Sequence, residues 1–110
     1  MWREDDDKIF EILDNLYIKK ECFPVNCPVC GKKDGHIYLH KHNESRQRGG
    51  LWLWCSACHH TSHSSYQIPL WWENLKAIDV TKLVSFPDYL EENKIDIDKW
   101  VNKLKVNNSI

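Results

Sequence analysis

The sequence predicts a small α+β domain, in which a three-stranded antiparallel sheet is flanked by an N-terminal helix and two or three C-terminal helices. Two Cys-x-x-Cys pairs, at 27–30 and 55–58, are separated by 24 residues, a length that a β-hairpin accounts for. Apolar and polar residues alternate over 36–42, which indicates a half-buried strand. Apolar residues at helical spacing precede and follow this central section.

The length of the chain, 110 residues, favours one domain spanning 1–110. We expect an N-terminal helix in 1–21, a cysteine-rich central section in 22–67 and a helical C-terminal part in 68–106. A core of this size is marginal, so a metal crosslink would contribute to stability. There is no run of 18 apolar residues to suggest a membrane span. The acidic start does not suggest a signal peptide, so we expect a cytoplasmic location with reduced thiols.

The two cysteine pairs predict one structural zinc ion. Zinc accepts four soft ligands in a tetrahedron, and four protein ligands leave no position for a catalytic water. The predicted ligands are Cys27, Cys30, Cys55 and Cys58. Two disulfides, or four small buried hydrophobic residues, are the alternatives, and a reducing compartment disfavours the first. We expect a positive φ at Gly31, directly after the first pair.

The fifth cysteine, Cys22, has no Cys-x-x-Cys partner. We interpret it as a partly buried bystander. A substitute metal ligand and a reactive thiol are the alternatives.

Residues 27–66 resemble a zinc ribbon, which consists of a knuckle, a β-hairpin, a second knuckle and a third strand. Zinc ribbons serve in transcription factors, ribosomal proteins, nucleases and protein-binding modules, so this resemblance implies a fold more than a function. Trp52 and Trp54 lead into the second knuckle, and Pro69-Leu-Trp-Trp72 follows it. In this the chain resembles small bacterial zinc-ribbon proteins of polymorphic-toxin loci, which are candidate immunity proteins. That resemblance implies a toxin domain as the partner.

The N-terminal helix is predicted from three consecutive acids, Asp5 to Asp7, followed by apolar residues on one broad face. Carboxylates suit the N-cap and the first turn, because they face the positive end of the helix dipole. The apolar pattern stops near Lys20, and Pro24 confirms the break.

The hairpin is predicted as a strand over 36–42, a polar loop over 43–50 and a returning strand over 51–54. On the returning strand, Leu51 and Leu53 share one face, and Trp52 and Trp54 share the other. A third short strand follows the second knuckle, through 59–66.

The C-terminal part is predicted to begin with a helix at Pro69, a residue suited to the first helical position. Ser85-Phe-Pro-Asp88 resembles a capping box with Ser85 as N-cap. Apolar spacing from Tyr89 to Leu104 then indicates one broken helix or two short ones.

The sequence does not point to an enzyme. His59, His60 and His63 could hold a second metal, but flanking the knuckle is the simpler interpretation. His42-Asn-Glu44 with the second cysteine pair imitates a zinc deaminase pattern, yet Trp54 stands where that pattern has proline. The serines beside His63 lack a nucleophile context.

Two binding functions compete. The first is a protein-binding module, in which acids of the C-terminal part complement a basic toxin. Those acids are Asp88, Glu91, Glu92, Asp96 and Asp98. The alternative is a ribbon that binds single-stranded DNA or RNA, although the net charge of −1 opposes it.

Both functions would use aromatic and basic side chains of the hairpin. The predicted partner-binding residues are Tyr38, Arg46, Arg48, Trp52 and Trp54. Trp, Tyr and Arg are enriched as interface anchors, which favours this surface. The competing interpretation is that the flanking helices pack on Trp52 and Trp54 and bury them.

Overall fold

A computed structural model of the chain describes residues 2–4, 7–17, 21–43 and 46–107. It confirms the α+β class. The sheet has four strands in the order β1-β4-β3-β2, with β1 Arg3–Glu4, β2 Gly35–Asn43, β3 Arg46–Cys55 and β4 His60–Gln67. The last three form the predicted antiparallel unit. The two-residue strand β1, parallel to β4, was not predicted.

The hairpin strands are longer than predicted, because 46–50 belongs to β3 rather than to a loop. Its glycines permit close approach instead of forming the turn. A Cβ at Gly49 would lie 1.7 Å from the carbonyl oxygen of His40 on β2, and a Cβ at Gly50 would lie 2.6 Å from the ring of Trp52. The indole of Trp52 therefore lies across the bare backbone of Gly50.

Both faces of the sheet are covered. The leucine face, with Leu51 and Leu53, packs against a 3₁₀ helix, Ile9–Leu13, and the short helix α1, Asp14–Tyr17. The tryptophan face packs against the C-terminal part of the chain. All of these apolar side chains belong to one hydrophobic core.

The N-terminal helix is shorter than predicted and largely of the 3₁₀ type. Of the three acids expected to start it, Asp5 and Asp6 lie outside the described residues, as does the expected end at Lys20. Asp7 is not the N-cap. That position is Lys8, whose side chain makes no capping hydrogen bond.

The prediction of a helix beginning at Pro69 is wrong, because 68–79 contains turns but no helix. Two turns are closed by the N–H groups of Trp72 and Ile78, and contacts with the sheet hold the rest of the segment. Asn74 accepts from the N–H of Lys41 at 2.8 Å and donates to its carbonyl at 2.9 Å, occupying the edge of β2. The N–H of Leu75 donates to the hydroxyl of Tyr38 at 3.3 Å.

The C-terminal helices are α2, Asp88–Glu92, and α3, Lys94–Asn107, preceded by a 3₁₀ turn at Val80–Lys82. Where one broken helix or two short ones were predicted, there are two helices, and the second is 14 residues long. Ser85 is not the N-cap of α2, because Pro87 precedes the first helical residue and no side chain caps it. Within the described residues, no helix is long and apolar enough to cross a membrane.

Candidate metal centre

The four predicted cysteines converge on one point. Their sulfur atoms all lie within 4.8 Å of one another, and the pairs Cys27–Cys58 and Cys30–Cys55 are each separated by 3.7 Å. A tetrahedral ion with metal–sulfur distances of about 2.3 Å places its ligands about 3.8 Å apart. All five cysteines are free thiols, which rules out the disulfide alternative for this structure. The four sulfurs are positioned to bind one metal ion.

The two knuckles have the same backbone geometry. The residue after each pair has a positive φ, +78° at Gly31 and +61° at His59. Its N–H donates to the carbonyl of the first cysteine, over 2.8 Å to Cys27 and 3.0 Å to Cys55. The prediction for Gly31 is confirmed. The role of His59 was missed, although its position matches that of Gly31 and histidine is among the residues that tolerate this conformation.

Backbone N–H groups point at the sulfurs. Val29 donates to Cys27 at 3.3 Å, and Lys32 donates to Cys30. In the second knuckle Cys55 and Cys58 receive backbone N–H groups in the same way. Such donors favour thiolates.

Burial of the sulfurs opposes the effect of these N–H donors, because it disfavours the charged thiolate. It raises the pKa of Cys55 and of Cys58, whereas the hydrogen bonds to Cys30 outweigh burial and lower the pKa of that thiol. A bound cation would supply the remaining stabilisation that four adjacent thiolates require.

The centre joins the ends of three strands. The second knuckle connects β3 to β4, and the first knuckle precedes β2, where Val25 forms a bridge with Gly35. The N–H of Ser56 donates to the carbonyl of Asp34 at 3.0 Å, which ties the two knuckles together. Cys22 is not part of the group and is exposed, so the expectation of partial burial was wrong.

A polar network that the sequence did not predict links the second knuckle to the C-terminal helices. The Nδ1 atom of His36 lies 2.9 and 3.0 Å from the two carboxylate oxygens of Asp98 on α3. Its Nε2 atom lies 2.9 Å from the hydroxyl of Ser56. His36 is 2% exposed and Asp98 is 8% exposed. Desolvation raises the pKa of Asp98, against the opposing effect of His36.

Glu91 on α2 completes this network. Its Oε2 atom accepts from the indole of Trp54 and from the hydroxyl of Ser56, both at 2.8 Å, and its Oε1 atom accepts from Lys94 at 3.0 Å. Burial acts to raise the pKa of Glu91, but the three donors outweigh burial and lower it. Glu91 therefore connects the sheet to α2 as a carboxylate.

Ser56, His36 and Asp98 have the order of a Ser-His-Asp catalytic triad but not its hydrogen bonding. The hydroxyl of Ser56 donates its hydrogen bond to Glu91. The oxygen of Ser56 therefore accepts a hydrogen bond from the Nε2–H group of His36 and does not donate one to it. A nucleophile requires the reverse direction. The network is better explained as a hydrogen-bonded connection between layers.

The predicted aromatic surface is not exposed. Tyr38 and Trp54 are fully buried and Trp52 is 5% exposed, because the C-terminal part covers their face. The indole of Trp52 donates to the carbonyl of Val84 at 2.8 Å. Arg48 is exposed. Nothing is described for the side chain of the fifth predicted residue, Arg46.

Three of the five acids predicted to contact a partner have partners within the chain. Glu91 and Asp98 belong to the network, and Asp88 accepts from the indole of Trp2 at 2.8 Å. Glu92 and Asp96 are exposed. The spacing of these acids along the sequence could not show which of them are bonded within the chain, because their partners lie far away in the sequence.

The histidines form no second metal site among the described residues, in which only the four cysteines form a metal-binding group. His63 stacks on Trp52 with ring centroids 4.5 Å apart, and His59 contacts Trp2 at 5.0 Å.

No protein-family model, curated protein or solved structure matches this chain.

Proposed function

We propose that the four-cysteine centre holds one structural zinc ion. Four thiolates in a closed tetrahedron are typical of structural zinc, and they leave no position for water. Iron also accepts tetrahedral thiolates, so the metal must be measured. We expect one zinc per chain and a colourless protein. A coloured protein with stoichiometric iron would refute the assignment of zinc.

We further propose that the protein is a non-enzymatic protein-binding module. The observation that carries this proposal is the distribution of exposed apolar side chains. Four large ones occur in 68–87, a segment with one 3₁₀ turn, and they are Leu70, Val80, Val84 and Phe86. Exposed acids, including Glu73 and Asp79, lie in the same segment. Apolar groups beside charged ones are typical of a protein interface.

The resemblance to immunity-type zinc ribbons suggests a cognate bacterial toxin as the partner. Neutralisation would then work by covering the toxin's active site, with no chemistry by this chain. The exposed acids Glu92 and Asp96 would complement a basic toxin surface. The nucleic-acid alternative has less support, because its stacking residues Tyr38, Trp52 and Trp54 are buried.

A pull-down from native cell lysate, with and without nuclease, tests the binding function. The bait is the zinc-loaded full chain. Two cysteine variants serve as a matched pair: Cys30→Ser removes a predicted ligand, and Cys22→Ser removes an exposed thiol outside the group. We expect a discrete protein partner that survives nuclease, is retained by Cys22→Ser and is lost with Cys30→Ser.

Two outcomes would contradict the proposal. Recovery of nucleic acid alone, lost on nuclease treatment, would favour the alternative function. Capture of the same proteins by Cys30→Ser would show that the bait binds nonspecifically.

A further inference from the structure

Among the described residues, none pairs with the outer edge of β4 beyond its first two residues. The strand β1 pairs only with His60 and Thr61. The N–H of Arg3 donates to the carbonyl of His59 at 2.7 Å, which fixes the side of β4 that faces β1. Because backbone groups alternate along a strand, His63, Ser65 and Gln67 direct their N–H and C=O groups to that outer side. Among residues 2–4, 7–17, 21–43 and 46–107, no hydrogen-bond partner is found for these outward groups.

Within β4 itself, the residues that usually protect an edge are missing. Natural edge strands are blunted by lysine, proline, inward charges or bulges. From His60 to Gln67 there is no Lys, Arg, Asp, Glu or Pro, and the register with β3 is continuous from Arg48 to Trp54. Such an edge is a template for strand addition, in which the main chain supplies affinity and side-chain pockets supply specificity.

A cleft of about 470 Å³ lies at the end of this edge. Tyr66 and Gln67 of β4 line it together with Tyr17 of α1 and Leu70. Leu70 is 78% exposed, the largest exposed fraction among the large apolar side chains described. A strand added to β4 would therefore pass the cleft and could place an apolar side chain in it.

The exposed charged residues described beside this edge carry a small excess of acids. The ring of Phe10 lies 6.5 Å from that of Tyr66, so this side of the N-terminal helices borders β4. Asp14 falls within one turn of both Phe10 and Tyr17 and is exposed, as is Asp7 one turn earlier. β4 has no charge of its own, and the exposed bases nearby are Arg3, Lys8 and Arg48, the last of which pairs with Gln67. Against them stand the exposed acids Glu4, Asp7, Glu11 and Asp14, so these described groups sum to −1 and the local field is weakly negative.

We propose that the outer edge of β4, from His63 to Gln67, binds an extended, basic segment of a partner protein, with one apolar side chain of that segment in the cleft beside Leu70. This inference rests on the proposed binding function and names its surface. A second copy of this chain is a poorer occupant, because edge-to-edge pairing would bring two acidic N-terminal helices together.

The test uses a random heptapeptide library panned against the zinc-loaded full chain. Ser65→Pro removes an outward N–H without removing a hydrogen bond to β3, which an edge strand tolerates. Ser65→Ala removes the hydroxyl and keeps the N–H, so it is the matched control. We expect enriched peptides that alternate apolar with Lys or Arg residues. They should bind Ser65→Ala as tightly as the native chain and Ser65→Pro about tenfold or more weakly.

Two further measurements keep the test decisive if Ser65→Pro fails to fold. Leu70→Ser should weaken peptide binding, whereas Val106→Ser, which removes a similarly exposed apolar group on α3, should not. Peptide binding should also slow amide exchange at Ser65 and Gln67 but not at Ser64 and Tyr66.

Three outcomes would overturn the proposal: no enriched peptide, equal binding to the proline variant that folds, or a dimer of the native chain that Ser65→Pro dissociates. A protein captured from lysate equally well by Ser65→Pro would leave the binding function intact and refute only this surface. Failure to capture any protein would refute the binding function itself.

Discussion

Replacing Glu91 with alanine tests whether the network at the second knuckle holds the C-terminal helices to the sheet. The substitution leaves the indole N–H of Trp54, which is fully buried, without its acceptor. An unsatisfied buried donor costs about 1–3 kcal/mol. Ser56 can still bond to His36, and Lys94 is exposed enough to reach water, so their losses add about 0–1 kcal/mol. We expect the free energy of unfolding to fall by about 1–4 kcal/mol.

The measurement is urea unfolding of the zinc-loaded chain at neutral pH and a fixed excess of zinc, followed by far-UV circular dichroism. Fixing the zinc concentration matters because metal binding contributes to the apparent stability. Glu92→Ala is the control, since it removes the same charge from the next residue, which is exposed. Its effect should stay within about 0.5 kcal/mol.

A double-mutant cycle with Trp54→Phe isolates the interaction itself. Phenylalanine has no N–H, so Glu91→Ala should cost less in that background, and we expect a coupling energy of about 1–2 kcal/mol. Equal effects of Glu91→Ala and Glu92→Ala would refute the reasoning. So would a coupling energy indistinguishable from zero.

The remaining predictions concern the hairpin, the metal and pH. Gly49→Ala should unfold the chain or cost more than about 3 kcal/mol, because its Cβ would overlap a backbone oxygen of β2. Gly31→Ala should cost only about 1–2 kcal/mol, from its positive φ in otherwise open space, and equal urea midpoints for the two variants would contradict this. Chelation or Cys30→Ser should abolish cooperative thermal melting, whereas Cys22→Ser should leave metal content at one ion per chain; an unchanged melt after complete metal removal would show that the ion is not structural. Because the folded-state pKa of Glu91 is lowered, its stabilisation should be complete above its unfolded pKa of about 4.3 and be lost as pH falls through the folded value. The difference in melting temperature between the native chain and Glu91→Gln should therefore be constant from about pH 8 to 6 and narrow in acid, and a gap that widens in acid would contradict the assignment.

The metal centre could be predicted from sequence because its geometry is local. Each pair of ligands is separated by two residues, and Gly31 is adjacent to one pair. The alternation over 36–42 likewise identifies a strand without knowledge of any distant contact. The sequence predicted too short a β3, because glycine usually indicates a turn. Here Gly49 and Gly50 lie within the strand and allow the backbone of β2 and the ring of Trp52 to approach closely.

The contacts that cross the chain could not be predicted. His36 and Asp98 are 62 positions apart, and the apolar spacing of the last helix gives no sign that one of its acids is buried. The helix expected at Pro69 fails for the same reason. The side-chain amide of Asn74 and the backbone N–H of Leu75 bond to β2, and such tertiary bonds override local propensity.

Coverage of both faces of the sheet decides where recognition can occur. With Tyr38, Trp52 and Trp54 inside the core, an aromatic face cannot be the contact surface unless the C-terminal part leaves the sheet. The surfaces that remain are the segment 68–87, the helix exteriors and the edges. At the β2 edge, Asn74 already bonds to Lys41, whereas no described residue pairs with the outer groups of β4 at Ser65 and Gln67. The metal centre joins β3 to β4 at the opposite end of that strand, so the ion would hold the edge in register without contacting a partner. Loss of the metal should therefore abolish partner binding through loss of the fold, whereas Ser65→Pro should abolish it with the metal and the fold retained.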